Sequence, residues 1–446
     1  MIDIRLLREK PEIIKKNLRK RGMKYNLEDL IKKDKEWREK LKKMEKLRHE
    51  KNIITDEIAR TKKKVAIMKV KKISKQIKSL EEDVDKLRCE INTEMMKLPN
   101  ILHNSVPKGR NDEDNTTLRK WGKIPKFNFK PLGHEQIMEK LNLGDIERAT
   151  KISGARFYFL KNELAMMDFA LMIFAIDFLT KKGYELLHPP LLMRRKPYEG
   201  VVDMGDFEDV MYKIEDEDLY LIATSEHPMV SMHQGEVLDE KKLPKKYVGW
   251  STNFRKEAGT HGKDTKGIFR THQFNKVEQV IFCKPEDSWK VFEEIIKNKE
   301  EMTKKLEIPY RVVSVCTGDI GNIAAKKVDI EGWMPAQKKY RELTSASNCT
   351  DYQARRLGIR YGIEGKKPTG TPHILNSTAL ATGRTMVAIL ENNQQKDGSV
   401  KIPDALVPFM GGLTKIIQHP EIIEKEEKIK KKLIKKMKAD KKKEEK

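Results

Sequence analysis

The segment from Met23 to Leu98 contains neither glycine nor proline. Compact globular sequences carry these residues at much shorter intervals, because their turns depend on them. A segment of this length without them therefore predicts long helices that are not folded back repeatedly into a small domain. Pro99 stands directly after it and predicts the end of the last helix.

Apolar residues in this segment recur at the spacing of a coiled coil. The later half carries them at Ile73, Ile77, Leu80, Val84, Leu87, Ile91 and Leu98. The earlier half carries them less regularly, at Leu30, Trp37, Leu41, Met44, Leu47, Ile54 and Ile58. The pattern breaks at Thr61–Lys64, which predicts a hairpin and an antiparallel two-helix arm over about residues 27–98, about 45–50 Å long. The alternative is one continuous helix in a parallel dimer.

The chain of 446 residues has a formal net charge of +24. This surplus favours a polyanionic partner, either nucleic acid or an anionic membrane surface, over a Lys-rich surface without a partner. The longest apolar stretch, Phe169 to Leu179, includes Asp177 and is too short to span a bilayer. We therefore expect a buried helix there and no membrane partner.

The four cysteines are scattered, without a Cys-x-x-Cys pair: Cys89, Cys283, Cys316 and Cys349. This arrangement predicts no zinc site and no disulfide framework, and it is typical of a reducing cytoplasm. We therefore expect a cytoplasmic protein.

Composition divides the chain into an N-terminal domain with the arm (1–110), a polar linker (111–130), a mixed domain (131–420) and a Lys/Glu-rich tail (421–446). Strand candidates in the mixed domain are 184–187, 219–223, 277–282 and 311–315, and helix candidates are 162–181, 286–305 and 379–395. The strands do not alternate regularly with helices. The pattern predicts an α+β fold in which helices flank an antiparallel sheet.

The run from Phe254 to Gln279 carries the most chemistry. The chain has no glycine-rich phosphate loop motif, so side chains would have to hold a nucleotide's phosphates. Arg255 can clamp the α-phosphate, and Phe274 can stack on a base whose amino group meets Glu257. Glu278 lies four residues beyond Phe274 on a strand and therefore shares its face, where it can bind an ammonium. The alternative is a charged hairpin with a solvated loop at Gly259–Lys266.

Three other segments add possible ligands. Thr224, Ser225 and Glu226 follow an apolar strand and suit a small polar amino acid. Glu342 and Ser345 offer hard oxygen ligands for Mg²⁺ bound to phosphates. Arg384 stands at a predicted helix start, where it can reach a γ-phosphate.

Together these segments resemble the signature motifs of the class II aminoacyl-tRNA synthetases, and closely those of the seryl branch of the non-zinc type. The Arg255 segment resembles the second motif, and Gly383-Arg384 resembles the third. Residues 182–190 are similar to the first motif, which lies at the dimer interface in this family. The arm, the Thr224 segment and residues 347–356 are typical of the seryl branch.

The resemblance implies an enzyme that attaches L-serine to tRNA(Ser) through a seryl-adenylate, with ATP as substrate, Mg²⁺ as cofactor and a homodimer as the assembly. It implies catalytic roles for Arg255, Glu342 and Arg384. The implied serine-binding residues are Thr224, Ser225, Glu226, Arg255, Glu278 and Thr378. The implied ATP-binding residues are Arg255, Lys256, Glu257, Thr271, Phe274, Glu342, Leu343, Thr344, Ser345 and Arg384. Glu342 and Ser345 would hold the Mg²⁺.

Three positions differ from the pattern most common in the family: His227, Ala346 and Asn393. None of them is an implied ligand. The alternatives are a ligase of the same fold that loads a carrier protein, and an inactive RNA-binding paralogue. The sequence leaves open whether tRNA(Sec) is a second acceptor.

Overall fold

The computed structural model describes residues 1–61, 64–257 and 266–418. The chain forms two compact units, Met1–Leu102 and His103–Lys446. Most of the predicted loop at Gly259–Lys266, the centre of the predicted turn at Thr61–Lys64 and the tail at 421–446 lie outside the described residues. The three boundaries between the four segments given above remain predictions.

The first unit is helical, and its described residues form α1 (Ile4–Glu9), α2 (Pro11–Lys20), α3 (Leu27–Thr61) and α4 (Lys64–Lys97). Helices α3 and α4 run antiparallel. Lys33 pairs with Glu90 at 2.7 Å, and further along α3 Arg48 pairs with Glu81 at 2.7 Å. The residue number of the paired α4 side chain decreases as that of the α3 side chain increases. The two helices therefore form the predicted antiparallel arm and not one continuous helix.

Apolar side chains fill the seam between the two long helices. Met44 and Ile54 of α3 form a buried cluster with Ile73 and Ile77 of α4. These residues belong to the predicted heptad positions, and their burial supplies the main stabilisation of a two-helix arm.

The second unit contains both helices and strands. Its helices are α5 (His134–Leu141), α6 (Ile146–Ser153), α7 (Asn162–Thr180), α8 (Arg195–Val201), α9 (Met204–Phe207), α10 (Glu226–Ser231), α11 (Ser288–Lys305), α12 (Tyr352–Leu357) and α13 (Thr382–Asn392). Its strands are β1 (Thr116–Trp121), β2 (Gly144–Asp145), β3 (Phe159–Leu160), β4 (Glu185–Leu187), β5 (Leu192–Met193), β6 (Tyr220–Leu221), β7 (Val237–Asp239), β8 (Lys245–Phe254), β9 (Gln273–Cys283), β10 (Tyr310–Ser314), β11 (Lys326–Met334), β12 (Lys339–Asn348), β13 (Arg360–Gly362), β14 (His373–Ala381), β15 (Val400–Lys401) and β16 (Lys415–Ile416).

Eight of these strands form one sheet in the order β1-β10-β11-β12-β14-β9-β8-β4. All neighbours in it are antiparallel except β4 and β8 at one edge. Helices α7, α11 and α13 pack against its strands. The predicted α+β fold is confirmed, and the parallel pair at the edge is a feature that the sequence pattern did not indicate.

The element predictions hold best for the long helices. The candidates at 162–181, 286–305 and 379–395 correspond to α7, α11 and α13. The strand predicted at 219–223 is reduced to the two residues of β6, and beyond it the Ala223 backbone N–H donates to the Tyr198 hydroxyl and not to a neighbouring strand.

Helix α7 is only half buried, contrary to the prediction of a buried helix. Leu164, Leu171 and Leu179 are completely enclosed, whereas Phe169 and Ile173 are 63% and 53% exposed. The helix is apolar on two faces, and the sheet covers one of them. None of the helices in the described ranges is both long and apolar enough to cross a membrane.

Candidate functional site

Two adjoining cavities open where β8, β9, β12 and β14 meet the start of α13. One, which we call the Phe274 cavity, encloses about 220 Å³, and the other, the Glu278 cavity, about 320 Å³. Four residues line both: Arg255, Lys276, Glu342 and Thr378. The cavities are therefore two compartments of one site, with two cationic side chains at their junction.

Strand β9 presents three functional side chains on one face. Phe274, Lys276 and Glu278 alternate along the strand and line the cavities, as the two-residue period of a strand requires. The prediction that Phe274 and Glu278 share a face is confirmed. Lys276 was missed, although the same periodicity places it between them.

Glu278 is 1% exposed and lies at the centre of a hydrogen-bond network. Its Oε1 accepts from the hydroxyls of Thr224 at 3.3 Å and Thr378 at 2.9 Å, and it forms an ion pair with the Lys276 ammonium. Its Oε2 is buried and accepts no hydrogen bond from any residue in the described ranges. A buried carboxylate oxygen without a donor is costly, so this atom is suited to a cationic ligand.

Glu226 adds a second carboxylate to the Glu278 cavity. Burial and the nearby charge of Glu278 raise its pKa to about 7, against the opposing influence of Lys276. Gln353 of α12 donates to its Oε1 at 3.4 Å. Gln353 lies in the segment 347–356, which the sequence analysis found typical of the seryl branch, but it was not predicted as a site residue.

Arg255 stands at the junction of the two cavities, directly after β8. Its Nε donates to the Ala223 carbonyl at 3.3 Å, and its guanidinium lies 5.1 Å from the centre of the Phe274 ring. Burial lowers its pKa from the usual value, although an arginine keeps its proton under physiological conditions. The free edge of this guanidinium can bind a phosphate, and the aromatic ring beside it can stack on a base.

Arg384 lines the Phe274 cavity from the start of α13. Its Nη1 donates to the Glu342 carbonyl at 2.9 Å and lies 3.3 Å from the Glu342 Oε2. Its guanidinium stands 5.1 Å from the Phe269 ring, and that of Arg341 stands 4.3 Å from it. Neither Phe269 nor Arg341 was predicted, because the stacking depends on segments far apart in the chain.

Glu342 lines both cavities and is 45% exposed. Burial is the largest single influence on its pKa and acts to raise it, but the attraction of Arg384, Lys327 and Arg255 and the hydrogen bond from Arg384 together outweigh burial and lower the pKa to about 2. Ser345, three residues further along β12 and beyond an irregularity in its pairing with β11, lines the Glu278 cavity and hydrogen-bonds Asp329. The described residues contain no cluster of three or more His, Cys, Asp or Glu that could hold a metal ion by itself.

Half of the six remaining predicted residues line the Phe274 cavity, namely Glu257, Thr271 and Leu343. Three predicted residues line neither cavity. Ser225 is enclosed and donates to the Gly249 carbonyl at 3.4 Å, and Thr344 is 5% exposed inside the sheet. Lys256 is exposed with its ammonium 5.8 Å from the Tyr212 ring.

All four cysteines lie in the described ranges and none of them forms a disulfide there, and Cys349 is a wall residue of the Glu278 cavity. Burial raises the pKa of its thiol well above the usual range. The thiol therefore favours its neutral form, and it accepts a hydrogen bond from the Asn376 amide at 3.5 Å.

Two families match the chain. Residues 1–102 match the seryl-tRNA synthetase N-terminal domain, and residues 211–393 match the tRNA synthetase class II core domain (G, H, P, S and T). A serine–tRNA ligase of Pyrococcus horikoshii is 49% identical over 440 residues, which cover 92% of this chain and 96% of the relative.

Solved structures give the same result. A seryl-tRNA synthetase from Pyrococcus horikoshii complexed with ATP is 48% identical with a TM-score of 0.89, covering 94% of this chain and all of the other. A cytoplasmic serine–tRNA ligase from Naegleria fowleri in complex with AMP is 40% identical with a TM-score of 0.85, covering 93% of this chain and 98% of the other.

Proposed function

Because the chain belongs to the seryl-tRNA synthetase family, its activity is the ATP-dependent ligation of serine to tRNA, and we propose that the two adjoining cavities hold the two small substrates. Serine occupies the Glu278 cavity and ATP occupies the Phe274 cavity. The observation that carries this assignment is the buried Oε2 of Glu278, which has no donor among the described residues and lies in the compartment next to Arg255.

The serine ammonium binds Glu278 Oε2, and this contact fixes the amino acid with its carboxylate towards Arg255. Thr224 and Thr378, which already hold Oε1, orient the Glu278 carboxylate. The serine hydroxyl binds the polar groups of the same cavity. A site with buried groups that require a hydroxyl partner rejects alanine, because those groups would remain unpaired.

ATP binds with its adenine against the Phe274 ring and its amino group at Glu257. Arg255 holds the α-phosphate at the junction of the cavities, and Arg384 holds the γ-phosphate. Thr271 and Leu343 complete the wall. Arg255 and Arg384 both line this compartment, so both guanidiniums are available to the phosphates of one triphosphate.

The first reaction step needs no dedicated base. A carboxylate oxygen of serine attacks the α-phosphorus, the bond to the bridging oxygen breaks, and pyrophosphate leaves with that electron pair. Arg255 stabilises the charge that develops on the α-phosphate, and the cavities hold the two reacting atoms in line. In the second step the terminal ribose hydroxyl of tRNA attacks the acyl carbon and AMP leaves.

Glu342 and Ser345 fit a Mg²⁺ ion that also binds phosphate oxygens. Glu342 is ionised at neutral pH, because its pKa is held at about 2, and Mg²⁺ commonly takes one or two protein oxygens together with phosphates and waters. The ion would neutralise phosphate charge when it is bound.

The arm of α3 and α4 binds the tRNA to which serine is attached. The net charge of +24 favours a polyanion, and double-stranded RNA is recognised mostly through its shape and backbone. We propose tRNA(Ser) as the acceptor, and charging assays with tRNA(Ser) and tRNA(Sec) transcripts decide whether the second is also a substrate.

We propose a homodimer that covers the exposed apolar face of α7. Met166, Phe169 and Ile173 are 50%, 63% and 53% exposed and follow each other at helical spacing. A stripe of this kind is typical of an interface. We place the enzyme in the cytoplasm, where ATP, serine and tRNA are available.

The test is amino-acid-dependent exchange of pyrophosphate into ATP, measured with all twenty amino acids and without RNA. Exchange with serine alone supports the assignment of both cavities. Folded protein that shows no exchange with any amino acid in the presence of Mg²⁺ contradicts it.

A further inference from the structure

A buried histidine outside the predicted site touches the wall of the Phe274 cavity. His134 is the first residue of α5 and is 5% exposed. Its Nε2 accepts a hydrogen bond from the Ile268 backbone N–H at 3.2 Å, and its Nδ1 lies 3.2 Å from Glu391 Oε1. Ile268 lines the cavity, whereas His134 does not, so the imidazole supports the wall from behind.

These two contacts fix the protonation state of the ring. The backbone N–H of Ile268 can only donate, so Nε2 must carry a lone pair. Glu391 faces Nδ1, and the Glu135 carboxylate is also 3.4 Å from that atom, so Nδ1 must carry the proton. The geometry therefore requires a neutral imidazole protonated at Nδ1 only.

Glu391 ties this histidine to two other segments. It lies on α13, the helix that begins at Arg384, and it is 1% exposed. Its Oε1 also accepts from the His134 backbone N–H at 3.2 Å, and its Oε2 accepts from the Ala336 backbone N–H at 3.0 Å. The His134–Glu391 pair thus joins α5, α13 and the β11–β12 connection behind the cavity.

The backbone around Ile268 is shaped for this contact. Gly267 has a φ of +73°, and a Cβ there would lie 1.9 Å from His134 Nε2. A Cβ at Gly383 would lie 3.1 Å from the Ile268 carbonyl oxygen. Both glycines allow close approach, so the imidazole and the start of α13 hold Ile268 from two sides.

Phe269 follows Ile268 in the chain and lines the Phe274 cavity. Its ring lies 5.1 Å from the Arg384 guanidinium and 4.3 Å from that of Arg341. We propose that His134 is a positioning residue for ATP: it fixes Ile268, and through Phe269 it holds the guanidinium of Arg384 at the phosphate position. This inference rests on the proposed ATP site but concerns a residue outside it.

The test compares two substitutions of His134 that introduce amide side chains of different length. In H134Q the longer amide oxygen can accept from the Ile268 N–H, whereas in H134N the shorter side chain leaves that N–H unsatisfied. We expect the KM for ATP in pyrophosphate exchange and the Kd for ATP from calorimetry to rise about tenfold in H134N and to stay near the wild-type values in H134Q. The KM for serine stays unchanged in both.

His233 provides a matched control, because it is also buried with both ring nitrogens bonded, to Glu236 at 2.7 Å and Tyr247 at 3.0 Å, and lines neither cavity. H233N should leave the ratio of the two KM values unchanged. Equal ATP constants for H134N and H134Q, or a parallel rise in the KM for serine, would overturn the proposal.

A spectroscopic measurement on the wild-type protein tests the same point without a destabilised variant. Long-range ¹H–¹⁵N correlation of labelled histidines, with H134Q identifying the resonance, should show a His134 ring that is protonated at Nδ1 only. A proton on Nε2 would overturn the proposal. Absence of serine-dependent exchange in the wild type counts against the proposed function. The Kd values for ATP and the spectrum still decide whether His134 is a positioning residue for ATP.

Discussion

Replacing Glu278 with glutamine tests the assignment of the serine ammonium with the smallest possible change. The amide keeps the shape of the carboxylate and can still accept from Thr378, which now donates to Oε1 at 2.9 Å. The negative charge is lost. Two cations depend on that charge in the proposed complex: the Lys276 ammonium and the ammonium of serine.

The expected loss follows from the burial of the pair. Glu278 is 1% exposed and Lys276 is 6% exposed, so water cannot replace either partner. Burial already lowers the pKa of Lys276, and the attraction of Glu278 opposes that shift, so E278Q favours a neutral lysine. Because Lys276 then leaves no unpaired charge, the main loss in E278Q is one charged contact to serine. Such a contact in a buried site contributes about 3 kcal/mol to the binding free energy, which is about 100-fold in affinity.

We expect kcat/KM for serine in pyrophosphate exchange to fall about 100-fold in E278Q, while the KM for ATP stays within about twofold of the wild-type value. E331Q is the matched control, because Glu331 pairs with Arg311 at 2.5 Å on the same sheet and lines neither cavity. A loss below about threefold in E278Q, or an equal loss in E331Q, would refute the reasoning.

Three further predictions concern the arm, the assembly and pH. Deletion of residues 30–95 should leave serine-dependent exchange intact and abolish tRNA charging; loss of exchange in a folded deletion would contradict the proposed arm function. Phe169→Glu on the exposed face of α7 should give a monomer in sedimentation velocity, whereas I152E, at a residue 70% exposed on α6, should not. Burial raises the pKa of Glu226 from 4.5 to about 7, so the carboxyl stabilises the fold less as pH rises through this range. The free energy of unfolding of E226Q, measured by denaturant titration, should therefore increase relative to that of the wild type between pH 5 and pH 8 by up to about 3 kcal/mol, and a constant difference would contradict the assigned environment.

The arm and the long helices could be predicted because their signals are local. A coiled coil repeats the same apolar spacing over many turns, and the absence of glycine and proline removes the competing structures. Strand β11 gave no such signal. Its Lys327 and Asp329 suggest a solvated strand, but they form an ion pair at 3.3 Å beneath the Glu278 cavity, and burial raises the pKa of Asp329 to about 6.

The site could be predicted where function demands particular residue types in one segment. Phe274 and Glu278 were placed on one face by the strand period, and Lys276 could have been found in the same way. His134 and Phe269 could not, because their contacts join segments more than a hundred residues apart: His134 meets Ile268, and Phe269 meets Arg384. Only the folded chain brings these groups together.

The most direct test of the account is a crystal structure of the protein with a non-hydrolysable seryl-adenylate analogue. We expect the ammonium of the analogue within hydrogen-bond distance of Glu278 Oε2, the phosphate-mimicking group at Arg255 and the adenine against Phe274. An ammonium bound to Glu342, or an adenine outside the Phe274 cavity, would contradict the assignment of the two cavities.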